Sequence, residues 1–251
     1  MAAAARKVEF LVAGVQKGGT TALFDYLKEH PTLLLPAIKE AHFFDDEAVD
    51  WGCPDYSRYH ALFQGADANR ARAWGEATPI YTYWPGCLER IAAYNPAMKI
   101  IVIFRDPIER AWSHWKMEYA RGAETEPFAW CIREGRARVV DNLATPGYHR
   151  EFSYVERGFY GAQVLRLFRF FPREQVLFLR SNELRSEPDR ILGRVCDFLS
   201  APRFAAVEPR ESHVAKDINY GAPISEEDSE YLTNIFKEDE ILLKTLTENY
   251  P

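Results

Sequence analysis

The sequence predicts an α/β fold in three layers, a central, mostly parallel sheet flanked by helices, formed by a single domain over residues 1–251. Three observations predict it. Short apolar runs of strand length alternate with helical patterns along the chain. Two of those runs end in glycine- or proline-marked corners that open helices. The composition, 47% hydrophobic and 27% charged, provides for a sizeable core, and no repeat or Gly/Ser linker interrupts it.

Val8 to Ala13 reads as a buried strand, Gly14 to Gly19 as a turn, and Thr20 to His30 as a helix. Leu23, Tyr26 and Leu27 share one face of that helix, and Pro31 ends it. Leu33 to Leu35 is a candidate short strand, and Asp45 to Arg72 is aromatic and irregular. Lys99 to Phe104 is an apolar strand. The helix that follows runs to about Tyr119, with Asp106 as N-cap, Pro107 at the first helical position and Glu109 at the capping-box position. A helix over Gly158–Phe171, a strand over Gln175–Leu179 and a helix over Asp189–Leu199 continue the alternation. Residues 202–223 read as loop, and one or two amphipathic helices follow Ser225.

A net charge of -6 gives no global attraction for nucleic acid or for a long acidic polymer, so an anionic ligand needs local donors. Cys53, Cys87, Cys131 and Cys196 form no C-x-x-C pair, which argues against a metal site and against a disulfide framework. No apolar run reaches the roughly 18 residues of a membrane span. Met1 to Arg6 is too short for a secretory signal. These features lead us to expect a soluble, cytoplasmic protein.

Two corners carry the chemistry. Gly14-Val15-Gln16-Lys17-Gly18-Gly19-Thr20-Thr21 lies between a strand and a helix, where backbone N–H groups and the helix N-terminus favour an anion. Glycines let backbone approach the ligand, Thr20 and Thr21 offer hydroxyl donors, and Lys17 adds a full charge. Lys17 precedes the glycine pair, so the loop is P-loop-like without being a Walker A sequence. The second corner is Arg105-Asp106-Pro107-Ile108-Glu109-Arg110-Ala111-Trp112-Ser113. Arg105 ends a strand, where α/β folds place ligands, and can fork onto a phosphate. Ser113 shares a helix face with Glu109.

Together these motifs resemble the PAPS-dependent sulfotransferase family. Lys17-Gly18-Gly19-Thr20-Thr21 is similar to that family's loop for the 5′-phosphosulfate, and Arg105 with Arg110 and Ser113 to its 3′-phosphate site. Lys39-Glu40-Ala41-His42-Phe43-Phe44-Asp45 resembles the acceptor strip of heparan sulfate sulfotransferases and related bacterial enzymes. The resemblance implies PAPS as donor, and no metal is expected, because sulfate carries less charge than phosphate and the donor's other phosphates have basic partners. It implies that Lys17 stabilises the leaving phosphate and that Glu40 is the general base, with His42 orienting or replacing it. By the same resemblance Tyr160 and Lys216 contact nucleotide, the latter from a closing loop. Gly75-Glu76-Ala77-Thr78-Pro79-Ile80-Tyr81 resembles a Glu-Lys-Thr-Pro segment, but Ala77 stands where those enzymes carry a second catalytic lysine.

Trp51, Tyr56, Tyr59, Tyr81, Tyr83, Trp84, Trp112 and Trp115 are candidate acceptor-pocket linings. Arg133, Arg136 and Arg138, on one expected helix, are the nearest approach to a basic cleft, and Glu134 interrupts them. The expected acceptor is therefore a small-molecule, glycan, glycolipid or carrier-bound alcohol. Two rivals stand beside this reading. A P-loop nucleotide kinase needs Gly-Lys-Ser/Thr and a Mg²⁺-binding Asp after a second strand. A non-catalytic nucleotide-binding domain would bind the nucleotide without transfer.

Overall fold

The computed structural model describes residues 6–64, 71–207 and 223–248. Contacts group the chain into two compact units, Met1–Phe104 with Leu167–Arg210, and Arg105–Arg166 with Glu211–Pro251.

The first unit is built on five strands, β1 (Phe10–Gly14), β2 (Leu33–Leu34), β3 (Ala73–Ala77), β4 (Lys99–Phe104) and β5 (Val176–Arg180). They order as β2-β3-β1-β4-β5, and every pairing is parallel. A parallel sheet is covered on both faces, which is why β1 and β4 read as unbroken apolar runs. α1 (Thr20–Lys28) follows β1 and stops two residues before the predicted His30. Its Leu23 and Leu27 pack with Val12, Ile101, Ile103 and with Ile191, Leu192 and Val195 of α9 (Pro188–Leu199). Each such buried aliphatic side chain is worth about 1.5–3 kcal/mol. α8 (Ser181–Ser186) links β5 to α9.

Sequence reading missed β3. Its Ala-Trp-Gly-Glu-Ala run lacks β-branched residues, and glycine normally weakens a strand. Here Gly75 pairs with Phe10, and a Cβ on it would lie 2.2 Å from the Phe10 ring. The missing side chain is the space that ring occupies. The aromatic stretch after Asp45 holds one short helix, α2 (Ser57–Ala61), and α3 (Cys87–Tyr94) follows further on. Phe43, Phe44, Tyr59 and Tyr94 form a ring-on-ring cluster. Tyr59, Tyr81, Tyr83, Trp84 and Trp115 are buried. Trp51, Tyr56 and Trp112 remain half-buried.

The second unit is helical. α4 (Pro107–Arg121) starts as predicted: the Asp106 side chain accepts the Glu109 N–H at 2.8 Å and Pro107 occupies the first turn. Such a cap is worth about 1 kcal/mol. α5 (Phe128–Cys131) and α6 (Ala137–Val140) replace the single helix expected to carry Arg133, Arg136 and Arg138. The chain breaks at Arg133, which leaves helical dihedrals (φ -111°, ψ -95°). α7 (Tyr160–Leu167) is shorter than predicted, and the C-terminal segment forms one helix, α10 (Glu226–Glu248). Phe236 of α10 fills the space over Gly158, where a Cβ would meet its ring at 2.5 Å. Among the described residues the four cysteines are free, and no helix is long and apolar enough to cross a membrane.

Candidate active site

The turn after β1 is made almost entirely of backbone. Val15 N–H donates to the Ile103 carbonyl at 3.1 Å, and Gly18 N–H closes back on the Val15 carbonyl at 2.9 Å. A Cβ on Gly18 would lie 2.4 Å from the Ile103 carbonyl oxygen, so only glycine lets the turn sit this tightly on β4. Gly19 (φ 102°) is the N-cap of α1 and supplies no side-chain cap. The first-turn amides of α1 are therefore left without a capping side chain, the arrangement that receives an anion. Lys17 is half-buried with left-handed backbone (φ 64°), Thr20 is buried and Thr21 half-buried.

The acceptor strip hangs on the neighbouring strand. β3 pairs with β1 (Val12 against Ala77), and the Glu40 N–H donates to the Ala77 carbonyl at 3.2 Å. Turn and strip thus both lie at the carboxyl ends of adjacent parallel strands, where open α/β sheets bind ligands. Within the strip, Lys39 Nζ donates to Glu40 Oε1 at 2.6 Å, and His42 Nε2 lies 3.1 Å from Glu40 Oε2. His42 Nδ1 lies 2.9 Å from Oδ2 of buried Asp45. One imidazole thereby bridges two carboxylates.

The electrostatics follow from that bridge. The hydrogen bonds to Asp45 and then Glu40 raise His42 to about 9 against the cost of burial, so the ring is cationic at neutral pH. Burial pushes the Glu40 carboxyl up, but the His42 hydrogen bond and the Lys39 ammonium outweigh it and hold the group at about 2. Glu40 and His42 both sit in left-handed backbone (φ 68° and 48°). Such non-glycine conformations cost about 1–3 kcal/mol each and persist only where surrounding contacts impose them. Behind the strip, burial lifts fully buried Glu76 to about 7, against hydrogen bonds from Thr78 and Tyr81 that favour its charge. Ala77 is fully buried in the apolar core with Val12 and Leu23, so that position brings no second cation to the strip.

In the second unit Arg105 is tied to Glu109, its Nε and Nη2 each 3.0 Å from Glu109 Oε2. The Glu109 carboxylate therefore holds Arg105 and does not complete a capping box. Ser113 lies one turn on from Glu109, half-buried. Tyr160 is buried, and burial pushes its phenol up. The amides of Gly161 and Ala162 donate to the Asp239 carboxylate at 2.7 and 2.9 Å, so a side chain of α10 already caps the start of α7. Lys216 lies outside the described residues. Sequence reasoning gave no role to Lys39, Asp45 or Glu76. The i, i+3 spacing of His42 and Asp45 was the available signal for one of them.

A glycine turn and a carboxylate–imidazole array thus stand side by side at the head of a parallel sheet in an α/β protein, a place suited to an anion. Comparison with known proteins narrows this reading. Residues 7–220 match the sulfotransferase domain family, and the chain belongs to that family. It is 30% identical over 197 residues to human heparan sulfate glucosamine 3-O-sulfotransferase 3B1, covering 77% of this chain and 46% of the relative. It is 23% identical to the membrane-associated sulfotransferase kil1 of Dictyostelium discoideum, covering 91% of this chain and 63% of the relative. The chain thus spans about half the length of the human relative and under two thirds of kil1. Among solved structures, a sulfotransferase from Alicyclobacillus acidocaldarius superposes with a TM-score of 0.78 at 29% identity, over 97% of this chain and 96% of that one. Mouse sulfotransferase SULT7A1 complexed with PAP shares the fold (TM-score 0.55, 17% identity, 98% and 89% covered).

Proposed function

We propose that this chain transfers a sulfuryl group from PAPS to an alcohol, with Glu40 as acceptor base. The observation that carries the reading is the placement of the Lys17 turn and the Glu40–His42–Asp45 array on the adjacent carboxyl ends of β1 and β3. PAPS would supply an activated sulfuryl group and leave as adenosine 3′,5′-bisphosphate. The residues of the turn suit its charged end: a backbone turn packed tightly on β4 at Gly18, helix amides without a capping side chain, and the Lys17 ammonium. By the resemblance of their motif, Arg105 and Ser113 hold the 3′-phosphate, and Tyr160 lies against nucleotide. Arg105 must then exchange its Glu109 partner for the phosphate, or share the two.

A carboxylate held at about 2 is a weak base, and this sets when Glu40 acts. It receives the hydroxyl hydrogen bond first and takes the proton late, once attack on sulfur has made that proton acidic. His42, with both nitrogens on carboxylates, is charged and has no lone pair to offer, which supports an orienting role over that of base. Lys17 and the turn amides stabilise charge on the departing phosphate, the electrostatic share of catalysis. No second lysine assists from position 77.

The acceptor we favour is a glycan, glycolipid, natural-product or carrier-bound hydroxyl without a long run of negative charge. Arg133, Arg136 and Arg138 are each paired, with Asp228, Glu156 and Glu124 respectively. They are neutralised within the second unit and make no basic cleft. The test is a mass-resolved transfer screen with PAPS over candidate alcohols, coupled to a binding assay. Sulfated product and tight adenosine 3′,5′-bisphosphate binding are expected. Binding of ATP with Mg²⁺ in place of the bisphosphate would instead favour the kinase alternative.

A further inference from the structure

The left-handed backbone at Glu40 has no local cause, since glutamate, unlike glycine, asparagine or histidine, is not enriched there. The amides of the strip show what imposes it. Besides the Glu40 N–H on the Ala77 carbonyl, the Ala41 N–H donates to the Thr78 hydroxyl at 3.0 Å and the Phe43 N–H to the Tyr81 hydroxyl at 3.2 Å. These two hydroxyls take the amides on either side of His42. The first of them is anchored on a buried carboxyl: Glu76, fully buried, accepts the Thr78 hydroxyl at 2.6 Å on Oε2. A further hydroxyl, that of Tyr59, donates to Oε1 at 3.4 Å.

We propose that Glu76 is a positioning residue for the acceptor-activating pair, orienting the Thr78 hydroxyl so that it holds the backbone between Glu40 and His42. The inference rests on the reading of Glu40 and His42 as that pair. A hydroxyl that donates to a fixed carboxylate presents its lone pairs in a fixed direction, and a hydroxyl without that anchor rotates. Through this relay Glu76 sets the turn of backbone that lets one imidazole reach both Glu40 and Asp45. It touches neither acceptor nor donor itself.

The test uses the full chain and needs no known acceptor. Glu76→Gln keeps the side-chain volume but turns one acceptor oxygen into a donor. An NMR titration of the His42 ring reads the bridge: it titrates at about 9 in the native protein and should fall by about one unit or more in the variant. Hydrogen exchange at the Ala41 amide should accelerate about tenfold or more, while Leu11 and Ile101 in the sheet stay protected. Thr78→Val should reproduce both changes and Thr78→Ser should restore the native values, which loss of packing alone would not do. A folded Glu76→Gln protein that still binds adenosine 3′,5′-bisphosphate and shows native His42 titration and native exchange at the Ala41 amide overturns the proposal. If Glu76→Gln does not fold, Thr78→Val decides in the same way. Failure of the underlying reading looks different: Glu40→Gln would then keep near-normal transfer to the alcohol found in the PAPS screen, with the Glu76 readouts still as expected.

Discussion

The turn after β1 and the strip that hangs on β3 are neighbours that solve one problem in opposite ways. Each holds non-glycine residues in left-handed backbone, Lys17 in the turn and Glu40 and His42 in the strip. The turn does so with main chain: two glycines that follow Lys17, a Gly18 bond to Val15, and contact with the Ile103 carbonyl. The strip does so with side chains drawn from residues far along the sequence, Thr78 and Tyr81. A main-chain cradle is formed before its ligand arrives and tolerates almost no added atom. A side-chain frame can place charge finely, and its state depends on protonation.

The comparison predicts that substitutions in the two segments separate binding from turnover. The largest effect belongs to the strip. Glu40→Gln should lower turnover by about 10²–10⁴-fold, with adenosine 3′,5′-bisphosphate affinity unchanged by calorimetry; unaltered turnover would remove Glu40 from the role of base. Gly18→Ala should show the reverse pattern. Its Cβ meets a backbone oxygen at 2.4 Å, so the cradle must open. Losing even one charge-assisted hydrogen bond costs about 1.5–3 kcal/mol, a weakening of about 10–100-fold in bisphosphate affinity. Native affinity in that variant would show that the turn does not hold the nucleotide.

A smaller effect should appear in stability against pH. His42 is raised in the folded state from 6.5 to about 9, so its contribution is complete below about pH 6.5 and lost as pH rises through 9. Glu40 is lowered from 4.5 to about 2, so its contribution is present above about pH 4.5 and lost as pH falls through 2. His42→Gln should therefore cost more stability in urea unfolding at about pH 6 than at about pH 10. An equal cost at both would mean that the imidazole is not charged in the bridge. The smallest effect is expected from Arg133→Gln, which breaks a partly buried pair with Asp228. It should lower stability by about 1 kcal/mol and leave transfer to an uncharged alcohol unchanged. A loss of transfer would place this arginine at the acceptor.

What could be read from sequence follows the same divide. β1, its glycine turn, β4 and the Asp106-Pro107 start of α4 were legible because each is specified within about ten residues by apolar run, glycine or cap. β3 was not, because its Gly75 is explained only by the Phe10 ring across the sheet. In the strip, Glu40 and His42 could be picked out by motif, but their frame could not. Glu76, Thr78 and Tyr81 lie more than thirty residues away in sequence from the amides they hold, as the 37- and 38-residue separations of the two hydroxyl contacts show. The single helix expected over Arg133–Arg138 failed for a local reason, the non-helical Arg133, and so the three arginines each found a different carboxylate.

That pairing has a practical corollary. These three arginines, already matched to carboxylates on a chain of net charge -6, offer little to a sulfated resin. The protein should run through a heparin column at low salt and be retained by a quaternary-ammonium one, the opposite of what its kinship to heparan sulfate enzymes would suggest to anyone planning its purification.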